Sequence, residues 1–196
     1  MRHTISTLLA VSLVLTAARG VLSAAEELKS GPQPGETIPG PFHYLNVNGA
    51  HAGNPHCLVC EFGLRPAVLV FARESPSDKS PLAMLLQKLD EAADRHKNAE
   101  LQAGVVVLND DFAKAETRKD LVRKWETSGK DLKHVVIAVD GQAGPKEYKI
   151  DKDADVTVVL YNQHKVVANF AFAKDKLTDK DVTAIMAAVN KIIGAK

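Results

Sequence analysis

The chain has few of the residues that usually announce a chemistry. Its 196 residues include two cysteines, one tryptophan and three methionines, and aromatics make up 5 %. Two cysteines cannot staple a disulfide-dense scaffold, so a fold of this size must rest on its hydrophobic core. A surplus of one charge is also missing, with 25 Lys and Arg against 24 Asp and Glu. Nothing in that balance argues for nucleic acid, which usually needs a basic face. There is no internal repeat and no G-x-S-x-G elbow, so Ser75, His96 and Asp110 do not make a hydrolase triad. The charged stretch Lys146 to Asp155 (KEYKIDKDAD) lacks EF-hand spacing and reads as a solvated loop.

A long apolar run is absent as well. The longest, Ile5 to Ala18, is interrupted by Ser and Thr and falls short of the roughly 20 residues a spanning helix needs. It follows Met1-Arg2-His3 and precedes the small residues Ser23-Ala24-Ala25, the pattern of an export signal over residues 1–25. Cleavage there leaves 171 of the 196 residues and removes Arg2 and Arg19, leaving 23 basic residues against all 24 acidic ones. The expected location is periplasmic or extracellular, without membrane contact after cleavage, where a disulfide persists. Residues 26–41, carrying SGPQPGETIPGP, read as a flexible linker. Residues 42–196 then form one domain of ordinary size.

Within that domain, strand and helix patterns alternate. Phe42 to Val47 is a short strand closed by Asn48-Gly49. Ala67 to Ala72 is continuously apolar, as in a strand buried on both faces of a parallel sheet. Ser80-Pro81 offers an N-cap and a first-turn proline, and Leu82, Leu85, Leu86, Leu89 and Ala93 recur at helical spacing to about Lys97. Leu101 to Leu108 predicts a strand. Phe112 to Ser128 predicts a helix with Leu121, Val122 and Trp125 inward, ended by Gly129. His134 to Val139 is a third buried strand. Asp155 to Tyr161 and Lys165 to Phe172 flank Asn162-Gln163-His164 as a hairpin. Thr178 with Asp181 opens a capping box for a last helix to Ile193. The fold class is therefore α/β: a central mixed sheet with βαβαβ units, a closing β-hairpin and a C-terminal helix.

FHYLNVNG, EFGLRPAVLVFAR and VTVVLYNQHKVV, in that order, resemble the opening strand, the central strand and the closing hairpin of the thioredoxin-like superfamily, in its peroxiredoxin or Sco-like form. The resemblance covers about Pro41 to Ile193. It implies a redox site just past the central strand, at the start of the next helix, and a cis-proline before the hairpin. Here the first position reads Arg73-Glu74-Ser75-Pro76-Ser77-Asp78, without cysteine, and the second, about Val156, has no proline. Arg73 is a candidate anion-binding cation with the helix start at Ser80 to Leu82, or an ion-pair partner of Glu74 or Asp78.

Both cysteines instead precede the central strand, as Cys57-x-x-Cys60 in the loop from Asn48 to Arg65. The N-terminal end of the central strand lies away from the usual active edge, which predicts a displaced site. Three readings stay open. In the first, Cys57 and Cys60 are a catalytic thiol-disulfide pair exchanging with a protein partner, Cys57 attacking because His56 adjoins it, with Arg65 as a nearby cation. In the second, Cys57 and Cys60 join His56 and His51, with His43 also in the span, as ligands of copper or zinc, in a non-enzymatic metal-binding or partner-binding module. In the third, the pair is a structural clip. Covalent haem is disfavoured, since Glu61 rather than histidine follows Cys60.

Overall fold

Ala67–Ala72 (β3) is apolar at every position, and all six residues are buried. That burial on both faces requires a strand neighbour on each side and a packed layer above and below. The computed structural model, which describes residues 28–73 and 79–194, supplies both. Gln102–Leu108 (β4) pairs parallel with β3, and Val135–Asp140 (β5) pairs parallel with β4. Val156–Asn162 (β6) lies antiparallel on the other side of β3, and Lys165–Phe172 (β7) closes the hairpin. Tyr44–Asn46 (β1) pairs antiparallel with β5, and the two-residue strand Pro55–His56 (β2) pairs with β1. The sheet order is β2-β1-β5-β4-β3-β6-β7.

Alternation along β3 divides the core. Val68, Val70 and Ala72 face three long helices: Pro81–Arg95 (α2), Ala115–Ser128 (α3) and Asp179–Gly194 (α4). For orientation, the helix Leu58–Phe62 is α1. Ser80 caps α2 through the Ala83 N–H at 3.2 Å, with Pro81 in the first turn. Asp181 accepts from the Thr178 backbone N–H at 3.0 Å, the expected capping box of α4. Helix α3 begins three residues later than its apolar pattern predicts. A 3₁₀ turn over Asp110–Ala113 comes first, because the Asn109 side chain accepts the Asp111 N–H at 2.8 Å and turns the chain before the helix.

Ala67, Leu69 and Phe71 face the other way, and among the described residues no long helix covers them. Their cover is α1 with Ile38, Tyr44, Tyr148 and Phe42. Tyr148 lies in the charged stretch read as a solvated loop. It is buried because a 3₁₀ turn over Lys146–Tyr148 directs the ring onto Phe71, at a centroid distance of 5.5 Å. The described part of the expected linker is likewise docked. The Gly35 N–H donates to the Val166 carbonyl and the Val166 N–H to the Glu36 carbonyl, so the segment covers the outer edge of β7. Ser30 is buried against Thr157, oxygen to oxygen 2.6 Å. Glycine and proline read as a linker because such a segment has no period of its own; an open sheet edge supplies its partners. The expected signal segment 1–25 lies outside the described residues. No helix among the described residues is long and apolar enough to cross a membrane.

The approach of α1 to the sheet requires a residue without a side chain beneath it. A Cβ at Gly104 in β4 would stand 2.5 Å from Leu58 Cδ1, 3.3 Å from Phe62 Cζ and 3.4 Å from the Val136 carbonyl oxygen. Gly104→Ala is expected to destabilise the fold by about 1–3 kcal/mol, the usual cost of overpacking. Urea unfolding of the two proteins checks this through a lowered midpoint with an unchanged slope.

Candidate functional site

The unusual chemistry of the chain is concentrated between β1 and β3. After β1 the chain turns at Asn48, whose side chain continues the β1–β5 ladder. It accepts from Ile137 N–H at 2.6 Å and donates to the Val135 carbonyl at 3.1 Å. The turn returns through β2, and α1 begins directly after it. Cys57 is the N-cap of α1, its sulfur accepting the Cys60 N–H at 3.2 Å. Within one helical turn Cys60 comes back over Cys57, and the two form a disulfide with Cα atoms 5.3 Å apart, an ordinary span for such a bond. Gly63, at φ 58°, ends α1, a left-handed position suited to glycine.

The two cysteines occupy different environments. Cys57 is 4 % exposed and belongs to the core on the α1 face, whereas Cys60 is exposed. Tyr44 fixes this start of the helix from below, its hydroxyl oxygen accepting the Leu58 N–H. Burial pushes the Tyr44 phenol well above its ordinary pKa, so it remains a neutral hydroxyl. Arg65 does not approach the sulfurs as a cation. Its guanidinium donates to the carbonyls of Phe62, at 2.9 Å, and Glu61, the unpaired end of α1.

Around the disulfide, the structure brings His51 and His56 together and adds Glu61, which the sequence reading left out of the ligand set. The two imidazoles stack with centroids 3.6 Å apart and planes 13° apart. His56 Nε2 lies 3.0 Å from Glu61 Oε2. Cys57 and Cys60, joined to each other, offer no thiolate in this state, and His43 is exposed outside the group.

Leu45 lies opposite Val139, so Tyr44 and its partner His56 sit at the end of the sheet where β3, β4 and β5 finish. His56 is four strands from β3, roughly 19 Å at about 4.8 Å per strand. The cysteine pair is separated from the usual edge by face: α1 packs on the side of the sheet across from α2, with Leu58 over Gly104 of β4.

At that usual edge, residues 74–78, including the Ser75 and Asp78 positions, lie outside the described residues. Arg73 donates to the carbonyls of Ala154 at 3.0 Å, Asp151 at 3.2 Å and Gln142. It thus ties the β5–β6 connection to the end of β3; Glu74 and Asp78, its expected ion-pair partners, lie outside the described residues. On the helical side of the sheet, a cleft of about 430 Å³ lies between α2 and the end of α3. Trp125 lines it, buried as expected, and its indole N–H has no hydrogen-bond partner among the described residues.

No family model and no curated protein matches the chain. Solved structures do. The chain is similar to an uncharacterised conserved protein from Geobacillus kaustophilus, at 16 % identity over 83 % of each chain with a TM-score of 0.58. It is similar to a thiol peroxidase from Chromobacterium violaceum, at 14 % identity over 84 % of this chain and 90 % of that one, TM-score 0.55. It is also similar to a thiol-disulfide oxidoreductase from Bacteroides fragilis, at 16 % identity over 81 % and 98 %, TM-score 0.50. At these identities what is shared is the fold, which is thioredoxin-like, and this chain adds to it a disulfide between Cys57 and Cys60.

Two outcomes follow. Tyr44→Phe leaves the buried Leu58 N–H without its acceptor and is expected to cost about 1–3 kcal/mol, read as a lowered denaturation midpoint. Asp140, at the end of β5, has its carboxyl raised by burial, against the Gly141 N–H that lowers it. A raised acid contributes stability that is present at low pH and lost as pH rises through its folded value. Asp140→Asn is therefore expected to be more stable than the parent at pH 7, with the difference shrinking as pH falls towards the unfolded value of 3.8; urea melts across that range measure it.

Proposed function

We propose that the chain is a thiol-disulfide exchange protein working through Cys57 and Cys60. The observation that carries this reading is the asymmetry of the pair: Cys60 is an exposed residue, whereas Cys57 is buried with its sulfur hydrogen-bonded at the first turn of α1. A partner thiolate attacks the sulfur of the exposed Cys60, and the Cys57–Cys60 bond breaks. Its electron pair leaves on Cys57 as thiolate, which the Cys60 N–H stabilises and which then takes a proton. A second partner thiolate attacks the partner sulfur of the mixed disulfide and releases Cys60 as thiolate. The partner dithiol is oxidised to a disulfide, and this chain is reduced by two electrons. The reverse sequence reduces a partner disulfide.

The roles of the two sulfurs are thus opposite to the sequence expectation, in which Cys57 attacks. In this reading residues 1–25 direct export to a periplasmic or extracellular compartment, where such partners are oxidised. A peroxidase or Sco-like subtype is not part of the proposal, because the position just past β3 has no cysteine.

Glutathione redox titration with a thiol count tests the reading. The pair is expected to switch between dithiol and disulfide within about −300 to −120 mV. A bond that stays closed throughout that window would leave a structural clip. Alkylation tests the assignment of roles: the Cys60 thiol left in Cys57→Ser is expected to react at least about tenfold faster than the Cys57 thiol left in Cys60→Ser. Equal rates would remove the asymmetry on which the mechanism depends.

A further inference from the structure

We infer that His51, His56 and Glu61 form a binding site for a divalent first-row transition metal of the zinc or copper class. One donor atom from each residue lies within 4.8 Å of the others. The three are spaced H-x₄-H-x₄-E, and three different local structures bring them together. The His51 carbonyl accepts the Asn54 N–H at 3.0 Å, closing the turn after β1. Strand β2 sets His56 opposite Tyr44. The first turn of α1 places Glu61 beside His56.

A second observation points to a cation. His56 Nε2 and Glu61 Oε2 are both shielded from water and lie 3.0 Å apart, with no further partner among the described residues. Their side chains as a whole are only partly covered, 26 % and 34 % exposed, so the group opens to solvent on one side. Among the described residues no lysine or arginine pairs with the Glu61 carboxylate. Arg65, the nearest basic residue in the chain, spends its guanidinium on main-chain carbonyls. A carboxylate held against two stacked imidazoles, without a cationic side chain, has lone pairs converging from three residues and no positive partner but a histidine.

The donor set selects the metal. Two imidazole nitrogens and one carboxylate suit zinc, copper or nickel, whereas magnesium and calcium take oxygen donors. Three protein donors leave a position open for water or an exchangeable ligand. Donors at 2.0–2.1 Å around a tetrahedral ion stand about 3.4 Å apart, so closure from the 4.8 Å span asks for about 1.4 Å of side-chain movement. His51, on a turn and partly exposed, has the freedom to make it.

The inference is independent of the exchange reaction. The ligands bracket the disulfide, His56 directly before Cys57 and Glu61 directly after Cys60, but in the oxidised state the sulfurs take no part. The experiment therefore uses the oxidised, chelator-stripped full chain, titrated with Zn²⁺ by calorimetry and with Co²⁺ by its visible absorption. One equivalent is expected to bind. Glu61→Gln and His51→Ala are each expected to weaken binding at least about tenfold, since even outer-shell changes cost 10–100-fold. His43→Ala, outside the group, is expected to bind as the parent does. Circular dichroism of each variant confirms the fold, and His51→Gln replaces any variant that does not fold. Absence of saturable one-to-one binding, or equal affinity in parent, Glu61→Gln and His51→Ala, would overturn the inference.

Discussion

The architecture follows from a strand that must be dry on both faces. β3 has no polar residue to turn outward, so each side of the sheet has to carry a complete layer. Three amphipathic helices cover one side. Among the described residues the other side has no long helix and is assembled from pieces: a five-residue helix, three aromatic rings and an N-terminal strap. Short pieces contribute little stability by themselves, because a single helical turn gains few hydrogen bonds for the entropy it loses. Each is therefore fixed by a specific contact. Tyr44 holds the start of α1, Gly104 admits its side chains, and the β7 edge holds the strap.

The position of the cysteine pair results from that assembly. Cys57 is buried because α1 must press onto β4, and Cys60 is exposed because it stands on the outer face of the same turn. The disulfide closes a ring too small to remove much unfolded-chain entropy. Its structural contribution is to set the first turn of a helix too short to persist alone, with one cysteine buried in the core and the other exposed. Both follow from one geometry. At the end of the sheet where cysteines were expected from resemblance, Arg73 instead ties loop carbonyls together, so that edge is held by hydrogen bonds.

Legibility in the sequence tracked the length and period of each element. β3, β4, β5, the hairpin, α2 and α4 were readable because six or more residues repeat one period, and the capping residues of α2 and α4 mark their starts. The β6–β7 turn was readable as a turn although its residues are Gln163 and His164, both at positive φ where glycine or asparagine is usual. β2 and α1, of two and five residues, carry no period at all. Tyr148 was misread because its neighbours are charged. The strap was misread because its hydrogen-bond partners are more than a hundred residues away in the chain.

The amino-acid order alone determined the α/β class, the strand and helix sequence, the buried face of each long helix and the presence of a single CxxC motif before the central strand. These depend on local periodicity and on residue type, which one stretch of chain contains by itself. Tertiary structure alone decided which cysteine meets solvent, that Glu61 rather than a cysteine joins the two histidines, and that a Gly/Pro-rich segment closes a sheet edge. Those outcomes depend on which distant groups arrive at the same point in space, and no local pattern encodes that.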